Sequence, residues 1–195
     1  MIVSMYTQTE NLDEKNSPEN KKTFIKDVIT VVLLVAFVVI PIRTFIAQPF
    51  VVYGASMSPT FENGDYLIID QVSYKFKEPR RLDVIIFKYP NDTSKFFIKR
   101  IIGLPNETVE IFGSDVFIKN SENPDGFKLG EAYIQNSGNN NLIRTLGESE
   151  YFVMGDNRSA SSDSRMWGNL DKKFIVGKTF LQLLPITRIG LLLGV

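Results

Sequence analysis

Two short motifs contain the residues of this chain that could carry out covalent chemistry. Ser56 lies in Ser56-Met57-Ser58-Pro59-Thr60, and Lys99 lies further on in Phe97-Ile98-Lys99-Arg100. The chain has no histidine and no cysteine. A Ser-His-Asp triad, His-bearing zinc sites, thiol nucleophiles and disulfides are therefore impossible within it. A nucleophilic serine would need a lysine or a carboxylate as its base, and serine with a neutral lysine is the known solution that fits.

Lys99 is set in an apolar stretch, with Phe96 and Phe97 before it and Ile101 after it. Lysines in strands usually face outward, so an ordinary surface lysine is the alternative interpretation, just as Ser56 could be an ordinary turn serine. Catalysis requires Lys99 to point into the protein. Burial would then lower the pKa of its amine from about 10.4, so that a neutral amine could take the Ser56 proton. Arg100 should face the other side of the strand and stay solvated.

Most of the chain after Pro49 is typical of short β-strands separated by turns. Asn63-Gly64 is a strong hairpin signal, and little helical periodicity is visible. The pattern predicts a mainly β fold with antiparallel sheets. The predicted strands are residues 50–53, 66–69, 83–89, 96–103, 108–111, 116–119, 151–154 and 174–184, and residues 136–141 are predicted to form a flexible loop.

The chain before this domain divides into a polar tail, residues 1–22, and an apolar run, residues 28–42. The tail is predicted to be disordered. With its apolar flanks the run is long enough for one transmembrane helix over residues 23–46. A cleavable signal peptide and a buried core helix are the alternatives. The first lacks a clear pair of small residues after the run, and the second does not suit a helix that is apolar on all sides.

Positive charge is unequal on the two sides of the apolar run. Four lysines precede it and only Arg43 closely follows it. The positive-inside rule then puts the 1–22 tail in the cytoplasm and the β domain, residues 47–195, outside the cell membrane. Formal net charge is zero and no basic stripe is present, so we expect no nucleic-acid partner.

Three motifs together resemble those of the type I signal peptidase (leader peptidase) family of serine-lysine endopeptidases. Residues 54–60 resemble the nucleophile box, residues 97–105 the lysine box, and residues 155–165 (Gly155-Asp156-Asn157-Arg158-Ser159-Ala160-Ser161-Ser162-Asp163-Ser164-Arg165) the C-terminal box. Their order and spacing are those of the family, and a candidate anchor precedes the first. The resemblance covers roughly residues 20–190 and implies the minimal, single-anchor form.

The resemblance implies a catalytic role for two residues, Ser56 as nucleophile and Lys99 as general base. It implies that Ser161 hydrogen-bonds the lysine amine and that Asp163 and Arg165 form a supporting ion pair. The Ser56 N–H would be one oxyanion donor. Gly54 stands where some members have a serine hydroxyl as the second donor, so that donor is missing here. No metal and no cofactor are implied.

The implied substrates are exported preproteins, whose signal peptides a membrane-bound monomer would remove. Five residues match pocket-lining positions of the family, namely Phe50, Val52, Met57, Phe97 and Ile98. Bulky side chains there would admit only small residues one and three positions before the cut, an Ala-x-Ala pattern. Plain core packing is the alternative role for each. Leu82 and Asn106 depart from the family, which usually has Gly at the first position and often at the second.

Two further functions remain open from the residues. A self-cleaving serine-lysine protease of the SOS-repressor type shares the fold, but it would carry an N-terminal DNA-binding domain where this chain has an apolar run. A degenerate, membrane-anchored member that only binds exported chains is the non-enzymatic alternative. The presence of Ser56, Lys99 and Ser161 favours an active enzyme over that interpretation.

Overall fold

The computed structural model describes residues 18–41, 47–134 and 139–192. The chain divides into two units, residues 1–43 and residues 44–195. The first contains helix α1, Pro18–Pro41, in which every side chain from residue 22 to residue 39 except Ala36 is exposed. Within the described ranges no helix is both long and apolar enough to span a bilayer. Of the predicted tail, residues 1–17 lie outside the described residues and residues 18–22 are helical.

The second unit is an antiparallel β domain, which confirms the predicted mainly β fold with antiparallel sheets. Its short helices are α2, Ser73–Phe76, and α3, Ser164–Trp167. Its strands are β1 Ala47–Val51, β2 Tyr66–Asp70, β3 Val84–Tyr89, β4 Asp92–Gly103, β5 Thr108–Gly113, β6 Asp115–Lys119, β7 Phe127–Lys128, β8 Asn140–Thr145, β9 Glu150–Met154, β10 Leu170–Asp171, β11 Ile175–Leu184 and β12 Gly190–Leu191.

Every predicted strand is present with some change at its ends, and the short strands β7, β10 and β12 are present in addition. β4 begins at Asp92, four residues before the predicted start, because the turn at Pro90 and Asn91 is tight enough for pairing to resume at once. β8 was not predicted, and it includes the last two residues of the predicted loop 136–141. Residues 136–138 of that loop lie outside the described residues.

Two sheets make up the domain. The larger has the strand order β1-β2-β11-β3-β4-β9-β10, with β12 paired to β11, and the smaller has the order β7-β6-β5-β8. Buried apolar side chains on β5 and β6 pack against Ile102 of β4 and against Phe152 and Met154 of β9. The long strand β4 therefore contributes to the larger sheet and also closes the core of the smaller one.

The register of β4 places two consecutive residues, Lys99 and Arg100, in different strand environments. Arg100 pairs with Val84 of β3 and with Met154 of β9, so at that residue the strand has a neighbouring strand on both sides. Before Arg100 the strand is paired only with β3 among the described strands. Lys99 thus lies where β4 changes from an edge strand to a central strand.

Leu82 and Asn106 both adopt positive φ, 70° and 65°. Asn tolerates this region, as expected for the turn before β5, whereas leucine rarely adopts it. Hydrogen bonds hold the strained residue, because the Leu82 N–H donates to Ile101 O and Arg100 Nη1 donates to Leu82 O. The backbone that a glycine would supply is therefore enforced at Leu82 by its neighbours.

Candidate active site

The nucleophile motif begins at a sharp change of direction after β1. Gly54 adopts φ 88°, which favours glycine, and its N–H donates to Asn63 Oδ1 at 2.9 Å. Val52 and Asp65 close the base of this excursion through a hydrogen bond from Val52 N–H to Asp65 O at 2.9 Å. Ser56 is therefore carried on a short loop that is tied down at both ends.

Lys99 meets Ser56 directly. Its Nζ lies 2.7 Å from Ser56 Oγ and 2.8 Å from Ile98 O. The lysine is only 4% exposed, so it points into the protein and the outward-facing alternative is wrong. The structure thus brings together two of the predicted site residues at hydrogen-bond distance, although they are 43 residues apart.

The environment of the amine favours its neutral form. Burial lowers the pKa of Lys99 from its ordinary value of 10.5 to about 8, while the negative charges of Asp163 and Asp156 act in the opposite direction. Each of these carboxylates is bound to an arginine. Their attraction for a lysine proton is offset, and desolvation dominates.

Arg100 is not solvated, contrary to the prediction from strand alternation. It is 1% exposed and binds Asp156 through two hydrogen bonds, Nε to Oδ1 at 2.9 Å and Nη2 to Oδ2 at 2.7 Å. Thr60 Oγ1, from the nucleophile motif, also donates to Asp156 Oδ2 at 2.5 Å. Alternation identified the correct face, but that face is covered by the loop 155–165 instead of by water.

The predicted pair of Asp163 and Arg165 is formed. Arg165 Nε donates to Asp163 Oδ1 at 2.7 Å, and Nη2 donates to Oδ2 at 2.8 Å. Asp163 also accepts the Gly155 N–H at 3.0 Å and caps α3. This pair therefore closes the loop 155–165 by joining its two ends.

Ser161 lies beside the site but makes no hydrogen bond to Lys99. Its Oγ is buried and has no hydrogen-bond partner among the described residues. A Cβ added to Gly155 would lie 2.3 Å from Ser161 Oγ and 2.4 Å from Ser56 O. Only glycine fits there, and the absence of a side chain is what lets Ser161 and Ser56 pack so closely.

A groove of about 550 Å³ opens next to Ser56 and Lys99. Four of the five predicted pocket residues line it, Phe50 and Val52 on one side and Phe97 and Ile98 on the other. Met57 does not line it. Its side chain is fully buried in the core with Phe61 and Leu67, so the core-packing alternative applies at that position.

The sequence did not predict the contacts of Glu131 and Tyr133 that hold the loop 155–165 in place. Arg158 donates to Gly155 O at 3.1 Å and is paired with Glu131, while Tyr133 lies over the Arg100 guanidinium. Arg158 stands within the third motif, but nothing in its spacing from Glu131 indicates the pairing.

A family model and several curated relatives match most of the chain. The family model described as signal peptidase, peptidase S26, matches residues 23–184. The probable signal peptidase I-1 of Synechocystis sp. is 36% identical over 185 residues, covering 90% of this chain and 91% of the relative. The signal peptidase I of Leptolyngbya laminosa is 37% identical over 158 residues, covering 76% and 74%. A crystal structure of a signal peptidase I from Enterococcus faecalis matches 52% of this chain and 97% of its own, with a TM-score of 0.44 and 32% identity.

Replacement of the buried lysine by an apolar residue should stabilise the fold. Below pH 8 the amine is protonated in both the folded and unfolded states, and its lowered pKa costs about 3 kcal/mol of folding free energy. Between about pH 8 and 10.4 the unfolded state binds more protons, so the free energy of unfolding rises with pH. We expect Lys99→Met to raise that free energy at pH 7 by about 2 kcal/mol.

Urea unfolding of the full chain in detergent, at pH 7 and pH 10, measures this effect. The control is Lys88→Met, which removes an exposed lysine of the neighbouring strand. The stability difference between Lys99→Met and the wild type should shrink as the pH rises. A Lys99→Met variant no more stable than the wild type at pH 7 would contradict the lowered pKa of Lys99.

Proposed function

The chain belongs to the signal peptidase family, peptidase S26, and on that premise we propose that it removes signal peptides from exported preproteins with a Ser56-Lys99 dyad. Membership makes it a peptide-bond hydrolase that acts on signal peptides. The dyad, the preference for small residues before the cut and the placement in the membrane are the proposal. The observation that carries it is the 2.7 Å contact between Lys99 Nζ and Ser56 Oγ at the end of an open groove.

In the proposed reaction, the neutral Lys99 amine takes the proton of Ser56 as Oγ attacks the carbonyl carbon of the scissile bond. The C–N bond then breaks, and the lysine ammonium gives its proton to the departing amine of the mature chain. Water attacks the resulting ester with Lys99 again as base, which releases the signal peptide and restores Ser56. The distance and the lowered pKa both support this role for Lys99.

Charge that develops on the carbonyl oxygen needs donors in the same loop. We propose the backbone N–H of Ser56 as one of them. Gly54 has no hydroxyl to serve as a second, and its own N–H is bound to Asn63. Oxyanion stabilisation in this chain therefore rests on the backbone of the nucleophile loop.

Substrate binding in the groove is proposed to use strand pairing. β1 is paired only with β2, and β4 before Arg100 only with β3, among the described strands. An extended peptide entering between them meets backbone groups on both sides. Alternate side chains of that peptide would face Phe50, Val52, Phe97 and Ile98, and these bulky residues leave room for small side chains such as alanine.

We further propose that residues 23–46 attach the enzyme to the cell membrane, with the N-terminus in the cytoplasm and the β domain outside. The exposed apolar side chains along α1, among them Phe24, Leu33 and Phe37, support contact with lipid. Residues 42–46 lie outside the described residues.

Alkaline carbonate extraction of membranes should leave the full chain in the pellet, and its release into the supernatant would contradict attachment.

Cleavage of a preprotein with an Ala-x-Ala junction tests the dyad. We expect Ser56→Ala and Lys99→Met each to lower kcat/KM by a factor on the order of 10⁴ or more, because the two groups act as a unit. The wild-type rate should rise with pH around an apparent pKa of about 8, set by the burial of Lys99. The assay is cleavage of the purified preprotein in detergent, followed by gel electrophoresis and mass spectrometry of the products.

Matched controls are Ser94→Ala and Lys88→Met, which change exposed residues of β4 and β3 that do not line the groove. Both should cleave at the wild-type rate. Substantial cleavage by Lys99→Met would overturn the base assignment. A folded wild type that binds the preprotein without cutting it would instead favour the binding-only alternative.

Enlarging the groove should relax the preference for small residues. Ile98→Ala removes a bulky side chain from the groove lining. A preprotein with valine in place of one alanine of the Ala-x-Ala junction should then be cleaved more efficiently, relative to the parent preprotein, than by the wild type. We expect the ratio of the two kcat/KM values to rise by about tenfold. Ile143→Ala, on the exposed side of β8, is the control. An unchanged ratio in Ile98→Ala would remove Ile98 from the proposed pocket.

A further inference from the structure

The segment of residues 129–134 connects the smaller sheet to the loop that carries the third motif. It starts in the smaller sheet's core, where Leu129 is buried and donates its N–H to Val116 O at 2.8 Å. From there it supplies two side chains, Glu131 and Tyr133, to the region beneath the loop 155–165. Neither residue belongs to the three motifs, and the proposed chemistry uses neither.

Glu131 holds one end of a peptide unit in that loop. Its carboxylate pairs with Arg158, which donates from Nη1 to Oε2 at 3.1 Å and from Nη2 to Oε1. The side chains are 6% and 3% exposed, so the pair is screened from water. Arg158 Nε donates in turn to Gly155 O at 3.1 Å. The carboxylate therefore orients the guanidinium that binds the Gly155 carbonyl.

Tyr133 acts on Asp156, the residue after Gly155, through a contact with Arg100. Its ring centroid lies 4.1 Å from the guanidinium carbon of Arg100, and its hydroxyl donates to Glu131 Oε1 at 2.9 Å. Cation–aromatic contacts of this kind stabilise an arginine more strongly when water is excluded. Because Arg100 donates two hydrogen bonds to Asp156, the Tyr133 ring helps to hold the Asp156 carboxylate in place.

We propose that Glu131 and Tyr133 are positioning residues for the serine-lysine dyad, acting through Arg158 and Arg100 on Gly155 and Asp156. This inference rests on the proposed function of the dyad. Neither residue touches the reacting atoms. Their effect is on the piece of backbone against which the nucleophile loop is seated.

The route from these residues to Ser56 is short. Asn157 N–H donates to Ser56 O at 3.1 Å, and the Cα of Gly155 packs against that same oxygen and against Ser161 Oγ. A shift of a fraction of an ångström in Gly155 therefore moves Ser56. Misplacement of a reacting group by about 1 Å can cost on the order of 10²-fold in rate.

The same two residues also affect the charge around Lys99. Asp156 and Asp163 are the carboxylates that raise its pKa, and Arg100 and Arg165 hold them in place. If the Tyr133 ring is lost, water can reach Arg100 and its pairing with Asp156 weakens. The Asp156 carboxylate would then be less well compensated, and its negative charge would move the pKa of Lys99 upward.

The test compares Tyr133→Leu, which removes the ring, with Tyr133→Phe, which removes only the hydroxyl. In the preprotein assay we expect Tyr133→Leu to lower kcat by about tenfold, with KM within about twofold. Its pH profile should shift to higher pH. Tyr133→Phe should retain most of the rate and the wild-type profile, because the ring still covers Arg100.

Phe127→Leu is the matched control, because its ring centroid lies 5.6 Å from the guanidinium carbon of Arg81, whose hydrogen bonds go to Ile102 O and Glu107. Its kcat and pH profile should equal those of the wild type. A second comparison uses Glu131→Gln against Glu107→Gln, another carboxylate paired with an arginine. Only the first should lower kcat.

Amide hydrogen exchange of the full chain separates this inference from the proposed function, since it needs no turnover. Tyr133→Leu should speed exchange at Gly155 and Asn157, whose N–H groups bind Asp163 and Ser56 O, while Phe127→Leu should not. A wild type that does not cut preproteins overturns the function alone. Unchanged exchange in Tyr133→Leu, or a rate loss without any shift in the pH profile, overturns the positioning role.

Discussion

The amine of Lys99 has to lose its proton before it can serve as a base, and a lysine does so near neutral pH only where its ammonium form is poorly stabilised. The edge-to-centre transition of β4 provides that place. Lys99 is 4% exposed and faces Ser56, with no carboxylate in contact with its amine among the described residues. The fold accepts a destabilising burial so that one side chain can change its protonation state.

The surrounding charges serve the same requirement. Two aspartates lie near enough to hold a proton on Lys99, and both are bound by arginines, Asp156 by Arg100 and Asp163 by Arg165. Buried ion pairs of this kind are poor evidence for net stability, but they fix geometry. Here the arginines also offset two negative charges that would otherwise favour the protonated lysine. The loop 155–165 is therefore both a structural support for Ser56 and an electrostatic shield for Lys99.

The contact between Ser56 and Lys99 and most strands were predictable because they depend on local signals, namely motifs, alternation and turn residues. The polar sequence of β8 does not look like a strand, since its pairing with β5 comes from tertiary context. The prediction for Arg100 was wrong because alternation says which face a residue occupies, not what covers that face. Met57 belongs to the core for a similar reason. The contacts of Glu131 and Tyr133 join distant segments and leave no signal in spacing.

The pKa of the Lys99 amine decides whether this lysine can act as the base. It can be measured by NMR titration of the full chain in detergent, with ¹³C at the lysine ε-carbons and Lys99→Met to assign the signal. We expect a titration near pH 8, well below that of lysines exposed to water. A Lys99 signal that titrates at about 10.4, as in water, would show that the amine stays charged and would contradict its role as the base.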